Sequence, residues 1–220
     1  MQTSTHGRSR VGMAVAAAFL LSALIPNLAV AAADVMAGDS IVFGDGPGSP
    51  GGEFNIDNLT NGAGTDFITF CLEKNEFLSF GPTYTVASVT TGAMNGGLGG
   101  GNPDPISFAT AWLYTQFRAG TLSGYLGDAA SANALQNAFW YLENEIGSVS
   151  GQALTWANLG LANGTSLGQV RVMNLLDSGG NVAQDQLVMI PEPETYAMLL
   201  AGLGLMGFVA RRRQRKLATA

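Results

Sequence analysis

The residues best suited to chemistry are a single cysteine and a few glutamines. Cys71 is the only cysteine among 220 residues, and a thiol or thiolate is a strong nucleophile. A glutamine carboxamide is one of the few side-chain groups whose acyl carbon can pass to sulfur with loss of ammonia. The only histidine, His6, lies near the N-terminus. If that segment is removed, the chain has no imidazole for a Ser-His-Asp triad, for a Cys-His pair or for zinc.

Three short motifs carry these residues along the chain. They are Phe70-Cys71-Leu72-Glu73, Thr115-Gln116-Phe117 and Leu135-Gln136-Asn137-Ala138-Phe139-Trp140. In order and residue type they resemble three motifs of the thioester domains of bacterial surface adhesins, with Leu135 where the family has Thr and Phe139 where it has a branched aliphatic residue. The resemblance implies an internal thioester between Cys71 and Gln136. It also implies a surrounding pocket that contains Phe70, Gln116 and Trp140.

A thioester would be a stored electrophile that needs no histidine, provided that water is kept away from it. Trp140 lies one helical turn after Gln136, where its ring could cover the bond. The alternative is ordinary packing, because a lone buried thiol is usually inert. In that case Gln136 is a polar position on a half-exposed helix and Trp140 is part of the core.

The N-terminal segment has the pattern of a secretory signal peptide. Arg8 and Arg10 precede an apolar stretch from 11 to 25, Pro26 interrupts it, and small residues follow. This pattern predicts a signal peptide over 1–33 with cleavage before Asp34. A retained transmembrane helix is the alternative, although the apolar stretch is short for one.

The C-terminal segment resembles the PEP-CTERM sorting signal of bacterial surface and biofilm proteins. In 191–220, Pro191, Glu192 and Pro193 precede an apolar run at 196–210 and a basic cluster at 211–216. The resemblance implies an exosortase as the processing partner. It also implies a precursor held transiently at the inner membrane, followed by the cell surface or extracellular matrix. An ordinary tail anchor is the alternative, and the run is shorter than the ~20 residues of a comfortable span.

The predicted exported body, 34–190, is strongly acidic. It contains fourteen acidic residues and only three basic ones, Lys74, Arg118 and Arg171, so its formal net charge is −11. Such a body repels phosphate backbones, which excludes nucleic acid as a favoured partner. We expect neither a metal nor a cofactor.

Hydrophobic patterning predicts an α+β fold, with an antiparallel β portion first and a helical portion after it. Strands are predicted at 41–43, 53–59, 66–73 and 84–90. Helices are predicted after Pro105 and after Asp128, the second carrying Gln136 and closed by Gly147. Shorter helices are predicted at 154–161 and 167–176, then one C-terminal strand at 182–190 and a hydrophobic sorting helix.

Two functions from different classes fit this sequence. The first is a non-enzymatic surface protein whose thioester attaches covalently to a protein amine or to a hydroxyl of extracellular polysaccharide. The second is a non-covalent structural or carbohydrate-binding component of a biofilm matrix. In that case sugars would stack on aromatic residues, which are Trp112, Tyr114, Tyr125 and Trp156. A hydrolase is disfavoured because the paired carboxylates Glu143 and Glu145 would point to different helix faces.

Overall fold

The structure is a computed structural model that describes residues 35–48, 52–60, 66–190 and 199–207. The predicted signal peptide, the Pro191-Glu192-Pro193 motif and the basic cluster at 211–216 lie outside the described residues.

Six strands form one antiparallel sheet. They are β1 (Ser40–Asp45), β2 (Phe54–Asn58), β3 (Phe67–Thr69), β4 (Thr83–Thr90), β7 (Val170–Leu176) and β8 (Val182–Met189). Their order across the sheet is β3-β2-β1-β4-β7-β8. Two very short strands, β5 (Gly92–Ala93) and β6 (Asp104–Pro105), pair separately. Every pairing is antiparallel.

The two ends of the six-stranded sheet meet, so that the sheet closes into a barrel. Beyond β3 the chain stays extended and pairs with β8. The N–H of Leu187 donates to the carbonyl of Phe70 at 3.1 Å, and the N–H of Leu72 donates to the carbonyl of Asp185 at 3.0 Å. Between these two bonds, Cys71 stands opposite Gln186. Closure leaves few exposed sheet edges, and it places Cys71 on the seam.

Three helices follow the first strands and pack against one another. They are α1 (Phe108–Arg118), α2 (Ala129–Leu142) and α3 (Gly151–Asn163). The Ser107 side chain caps α1 by accepting from the N–H of Thr110. Asp128 caps α2 and forms a reciprocal capping box with Ser131, which satisfies backbone donors that the first turn leaves unpaired.

Two hydrophobic cores result from this arrangement. One lies between the helices and the barrel wall and contains Phe70, Leu72 and Leu135. The other fills the barrel and contains Cys71, Trp140 and Met173. Because side chains alternate along an extended segment, Phe70 and Leu72 face the helices whereas the thiol between them faces the barrel.

The α+β prediction is confirmed, but two of its details are wrong. Residues 167–176, predicted as a helix, form β7, so that the chain before the tail ends in a β-hairpin rather than in a single strand. Helix α2 ends at Leu142, with Glu143 as its C-cap, before the predicted stop at Gly147. The β7 error has a physical reason: both faces of this strand are largely buried, so its sequence lacks polar alternation.

Of the predicted sorting helix, residues 199–207 are described, and they are helical. Nine residues extend about 14 Å, roughly half of a hydrocarbon core. Across 35–48, 52–60, 66–190 and 199–207, no helix has the length and apolar character needed to cross a membrane.

Candidate functional site at Cys71

The structure brings Cys71 and Gln136 together. Both are buried, at 0% and 1% exposure. The Gln136 side chain donates from Nε2 to the Cys71 carbonyl at 2.8 Å, and its Oε1 accepts from the Cys71 N–H at 3.0 Å. One carboxamide therefore pairs with both peptide groups of the cysteine.

The local sheet explains why these peptide groups are available. Cys71 pairs with Gln186 at a position where the bonds to β8 are made by its neighbours, so its own N–H and C=O point to the other side. On that side β2 begins only at Phe54, which faces Thr69, so no β2 residue lies opposite Cys71. The Gln136 side chain takes the place of the hydrogen-bonded residue that a longer β2 would supply opposite Cys71. Without it, two buried backbone groups would be unpaired.

Gln186 completes the polar surroundings of the thiol, and it was not among the site residues predicted from the sequence. Its Nε2 lies 3.5 Å from the Cys71 Sγ, within the range of a weak hydrogen bond to sulfur. The Gln186 side chain is fully buried, and its Oε1 has no hydrogen-bond partner. The available signal was Gln184-Asp185-Gln186, three consecutive polar residues inside an otherwise apolar strand. Such a run inside a buried strand indicates a specific polar environment.

Burial controls the state of the thiol. It raises the pKa of Cys71 to about 12, and the hydrogen bond from Gln186 offsets only part of this effect. The thiol is therefore protonated at neutral pH. A free thiolate is disfavoured here, so any acyl transfer to this sulfur must move the thiol proton as the bond forms.

Trp140 lies one turn after Gln136 on α2. It is 8% exposed and packs in the barrel core together with Cys71. Its indole Nε1 is buried without a hydrogen-bond partner. The ammonium of Lys74 lies 6.0 Å from the centroid of its ring, at the edge of cation–π range. Trp140 therefore shares a core with the thiol and is itself almost fully shielded from solvent.

The other two predicted pocket residues lie elsewhere. The Phe70 ring packs on the helix side, with ring centroids 5.1 Å from Phe117 and 5.3 Å from Phe139. It thus supports the segment that holds Cys71 without sharing the barrel core with the thiol. The half-buried Gln116 accepts at its Oε1 from the hydroxyl of Thr121 at 2.8 Å, near the end of α1. The hydrogen bonds that place the Cys71 site come from Gln136 and Gln186.

Trp140 also lines a surface groove of about 470 Å³. Its lining includes Phe54, Phe77, Phe80 and Lys74, together with Gln184 from β8. Gln184 is two residues from the Gln186 that contacts sulfur, and its carbonyl lies 3.5 Å from the Gln186 Nε2. Two residues thus link the groove to the surroundings of the cysteine: Gln184, and Trp140, which shares a core with Cys71.

A group of buried carboxylates lies under the glycine-rich loop at 96–101. Glu145 accepts from the N–H groups of Lys74 and Gly99, at 2.9 and 3.0 Å. A Cβ on Gly97 would collide with the Oε2 atoms of both Glu73 and Glu145, so these two carboxylates would have to shift to admit a larger residue. Burial, followed by the charge of Glu145, raises the pKa of Glu73 to about 8. The glycine-rich loop thus packs onto the carboxylates of Glu73 and Glu145. It also has no lysine that could bind a phosphate.

Glu143 and Glu145 do not act as a pair. Glu143 accepts from the backbone and hydroxyl of Ser107, at the start of α1, whereas Glu145 faces the glycine-rich loop. Within the part of the chain that the structure describes, no three His, Cys, Asp or Glu side chains are grouped so that they could hold a metal ion.

Two of the four aromatic residues considered for sugar stacking are inaccessible. Tyr114 and Trp156 are both 0% exposed and belong to the helical core. Trp112 is half-buried against that core. Tyr125 lines a separate cavity of about 440 Å³, and its hydroxyl hydrogen-bonds Glu53. These four side chains therefore do not form one platform for a sugar chain.

Comparison with known families identifies the tail. Residues 190–214 match the PEP-CTERM protein-sorting motif. The chain carries a PEP-CTERM tail. Such a motif indicates exosortase-dependent sorting of the protein out of the cell, as the sequence predicted. Comparisons with curated proteins and with solved structures gave no match for the chain.

Proposed function

We propose that the exported body stores an internal thioester between Cys71 and Gln136, and that it uses this bond once to attach covalently to a nucleophile on a partner surface. The observation that carries the proposal is the pairing of the Gln136 carboxamide with both peptide groups of Cys71. The acyl carbon and the thiol-bearing residue are held together by two buried hydrogen bonds. The sorting tail supports an extracellular place of action.

Formation of the bond needs no group from outside the site. The Cys71 Sγ attacks the Gln136 Cδ, the bond from Cδ to Nε2 breaks, and the thiol proton leaves with that nitrogen as ammonia. The Cys71 N–H already donates to Oε1, where negative charge develops in the tetrahedral intermediate. The Cys71 carbonyl accepts from Nε2 and so orients the leaving group.

In the attachment step, the Gln136 acyl group passes from the Cys71 sulfur to the partner's nucleophile. An amine or hydroxyl of the partner attacks Cδ, the bond from Cδ to Sγ breaks, and the nucleophile's proton passes to sulfur. The partner is left joined to Gln136 through an amide or an ester, and Cys71 is a thiol again. The Gln186 Nε2, 3.5 Å from Sγ, is placed to stabilise the departing sulfur. Each molecule reacts once, so the protein is not an enzyme.

Burial protects the stored bond. Cys71, Gln136 and Trp140 are each at most 8% exposed, and excluding water prevents hydrolysis of a reactive intermediate. The same burial means that a nucleophile must enter past Trp140. This requirement favours an incoming amine or hydroxyl that a partner presents over bulk water.

The intact mass of the purified mature protein tests the proposal. We expect a mass lower by one ammonia than the sequence requires, and no alkylation of Cys71 before denaturation. Methylamine should add to the protein and release a free thiol at Cys71. Cys71→Ala and Gln136→Ala should each show the full sequence mass and no methylamine adduct.

A full-mass wild-type protein with no methylamine adduct would refute the thioester. The remaining function would then be the non-covalent matrix component, with Cys71 as core packing. Binding of a polysaccharide that is unchanged in Cys71→Ser would support that alternative. A mass deficit accompanied by a free thiol would instead indicate that Gln136 has already reacted with an internal amine.

A further inference from the structure

We propose that the glycine-rich loop at 96–101 is a pH-sensitive strap: a proton shared by Glu73 and Glu145 holds it closed, and rising pH releases it. This device does not depend on the thioester, because neither carboxylate takes part in the acyl transfer. Three features support it, which are a buried oxygen without a donor, the attachment of the loop to both acids, and the negative charges around them.

One carboxylate oxygen under the loop has no donor. Glu73 and Glu145 are each 2% exposed, and the Oε2 of Glu73 is buried without a hydrogen-bond partner. The Oε2 of Glu145 is its close neighbour, because a Cβ on Gly97 would lie 2.1 Å from the first oxygen and 2.2 Å from the second. Ionised carboxylates only accept hydrogen bonds. A proton on one of them therefore lets the two oxygens pair.

The glycine-rich loop is attached to the same two carboxylates. The N–H of Gly97 donates to Glu73, and the N–H of Gly99 donates to the Oε1 of Glu145 at 3.0 Å. Because two residues so close in the chain bind one acid each, the loop remains closed only while the acids stay side by side. Repulsion between the acids therefore acts directly on the loop.

The charges around the pair are negative. Asp104 of β6 and Glu76 both act on Glu73, and Glu76 in turn acts on Asp185 of β8. Lys74 follows Glu73 in the chain, but its ammonium lies over the indole of α2, 6.0 Å from the ring centroid. These surroundings favour the protonated form of the pair.

Opening of the strap is linked to the release of one proton. Burial, followed by the charge of Glu145, raises the pKa of Glu73 from 4.5 to about 8 in the closed structure. An acid that the open loop exposes to water regains its ordinary pKa. Between these two values, each rise of one pH unit favours the open form about tenfold. Above about pH 8 both forms are ionised, and the dependence ends.

A proton suits this pair better than a metal ion does. Both oxygens of Glu145 already accept from backbone N–H groups, from Lys74 at 2.9 Å and from Gly99 at 3.0 Å. Ca²⁺ takes roughly six to eight oxygen ligands. Among the residues that the structure describes, no three His, Cys, Asp or Glu side chains are grouped to hold a metal.

Hydrogen exchange of the mature wild-type protein, followed by mass spectrometry, tests the strap. Labelling times are scaled to the intrinsic exchange rate at each pH, and EDTA is present so that no divalent cation replaces the proton. We expect the protection of the peptide that spans 96–101 to fall about tenfold per pH unit from pH 6 to pH 8. At each pH this peptide should be less protected than one from α3, because the loop opens without global unfolding.

One pair of variants tests the shared proton. Glu73→Gln supplies a permanent N–H donor to the Oε2 of Glu145, so the protection of the loop should be equal at pH 6 and pH 8. Asp45→Asn removes an exposed carboxylate and should keep the wild-type dependence on pH.

A second pair tests the packing of the loop. Gly97→Ala places a Cβ against both Oε2 atoms and should lower the protection of the loop about tenfold at pH 6. Gly101→Ala is the matched control, because its Cβ would meet the carbonyl of Pro103 at 3.4 Å, an ordinary contact. It should leave the loop closed.

The outcomes are independent of the thioester. Wild-type protection that is constant from pH 6 to pH 8, or that falls equally in Glu73→Gln, refutes the shared proton. Equal protection of the loop and α3 refutes a separate opening, and wild-type protection in Gly97→Ala refutes the packing. Cys71→Ala should reproduce the wild-type dependence on pH, so failure of the thioester leaves the strap standing and failure of the strap leaves the thioester standing.

Discussion

The Gln136 side chain makes both of its amide hydrogen bonds to one residue, Cys71, 65 positions earlier in the chain. This contact joins the helical layer to the seam where the barrel closes. It serves the fold whether or not the thioester forms, because it satisfies two buried peptide groups of the seam. It also sets the acyl carbon beside the cysteine before any reaction. The same two bonds thus contribute to the fold and, under the proposed function, prepare the acyl transfer.

Loss of the proposed thioester crosslink is expected to destabilise the protein. A covalent link that closes a 65-residue loop adds about 4 kcal/mol to the free energy of unfolding by the loop-entropy estimate for disulfides. Cys71→Ala removes the link and keeps the bonds from Gln136 to the backbone. Gln136→Leu should cost about 1–3 kcal/mol more, because the buried peptide groups of residue 71 also lose their partner. Guanidinium denaturation without reductant measures both variants.

Methylamine-treated wild-type protein is the matched control for this series. The amine opens the link without changing any residue, so its unfolding free energy should approach that of Cys71→Ala. Equal stability of untreated wild type and Cys71→Ala would contradict a crosslink in the native protein.

Trp140→Ala should make the proposed thioester sensitive to water. The indole shares a core with Cys71 and also lines the groove, so we expect its removal to open a path for solvent. We expect hydrolysis, seen as a gain of one water in intact mass at neutral pH, to become about tenfold faster, equivalent to about 1.4 kcal/mol in the barrier. Trp112→Ala is the control, because this half-buried tryptophan packs on the helical core instead. Equal hydrolysis rates in the two variants would show that Trp140 does not shield the bond.

Glu73→Gln should stabilise the protein in a pH-dependent way. Burial and the neighbouring Glu145 raise the pKa of Glu73 from 4.5 to about 8 in the folded state. Between these values the unfolded chain releases the proton and the folded chain keeps it, so wild-type stability falls as pH rises. The amide of the Glu73→Gln variant cannot ionise, so the variant does not lose this stability as the pH rises. Its advantage should be absent near pH 4 and largest near pH 8.

Melting temperatures across this pH range check the Glu73 prediction. Asp45→Asn removes a carboxylate that is exposed, and it should show no comparable gain toward pH 8. A Glu73→Gln variant with the same melting temperature as wild type at pH 8 would mean that Glu73 and Glu145 are not an unfavourable buried pair.

The sequence predicts those parts of the fold whose signals are local. Asp128 caps α2 as predicted, because an N-cap needs only its own first turn. Strand β7 was missed, since a strand buried on both faces shows no alternation. Cys71 and Gln136 were paired through a family resemblance, and only the fold could show that a second glutamine, Gln186, contacts the thiol. That contact depends on barrel closure between segments 115 residues apart, which no local pattern specifies.

The sorting tail gives a prediction that is independent of the thioester. Glu192 lies at the centre of Pro191-Glu192-Pro193, at the start of the matched motif. Glu192→Gln removes its charge at nearly constant size, and we expect the exosortase to leave the precursor uncut and held at the membrane. Glu194→Gln makes the same change two residues later, outside the Pro-Glu-Pro triplet, and should be processed normally. Immunoblots of membrane and extracellular fractions, with intact masses of the released protein, distinguish the two. Normal release of the Glu192→Gln protein would show that this carboxylate is not what the exosortase recognises.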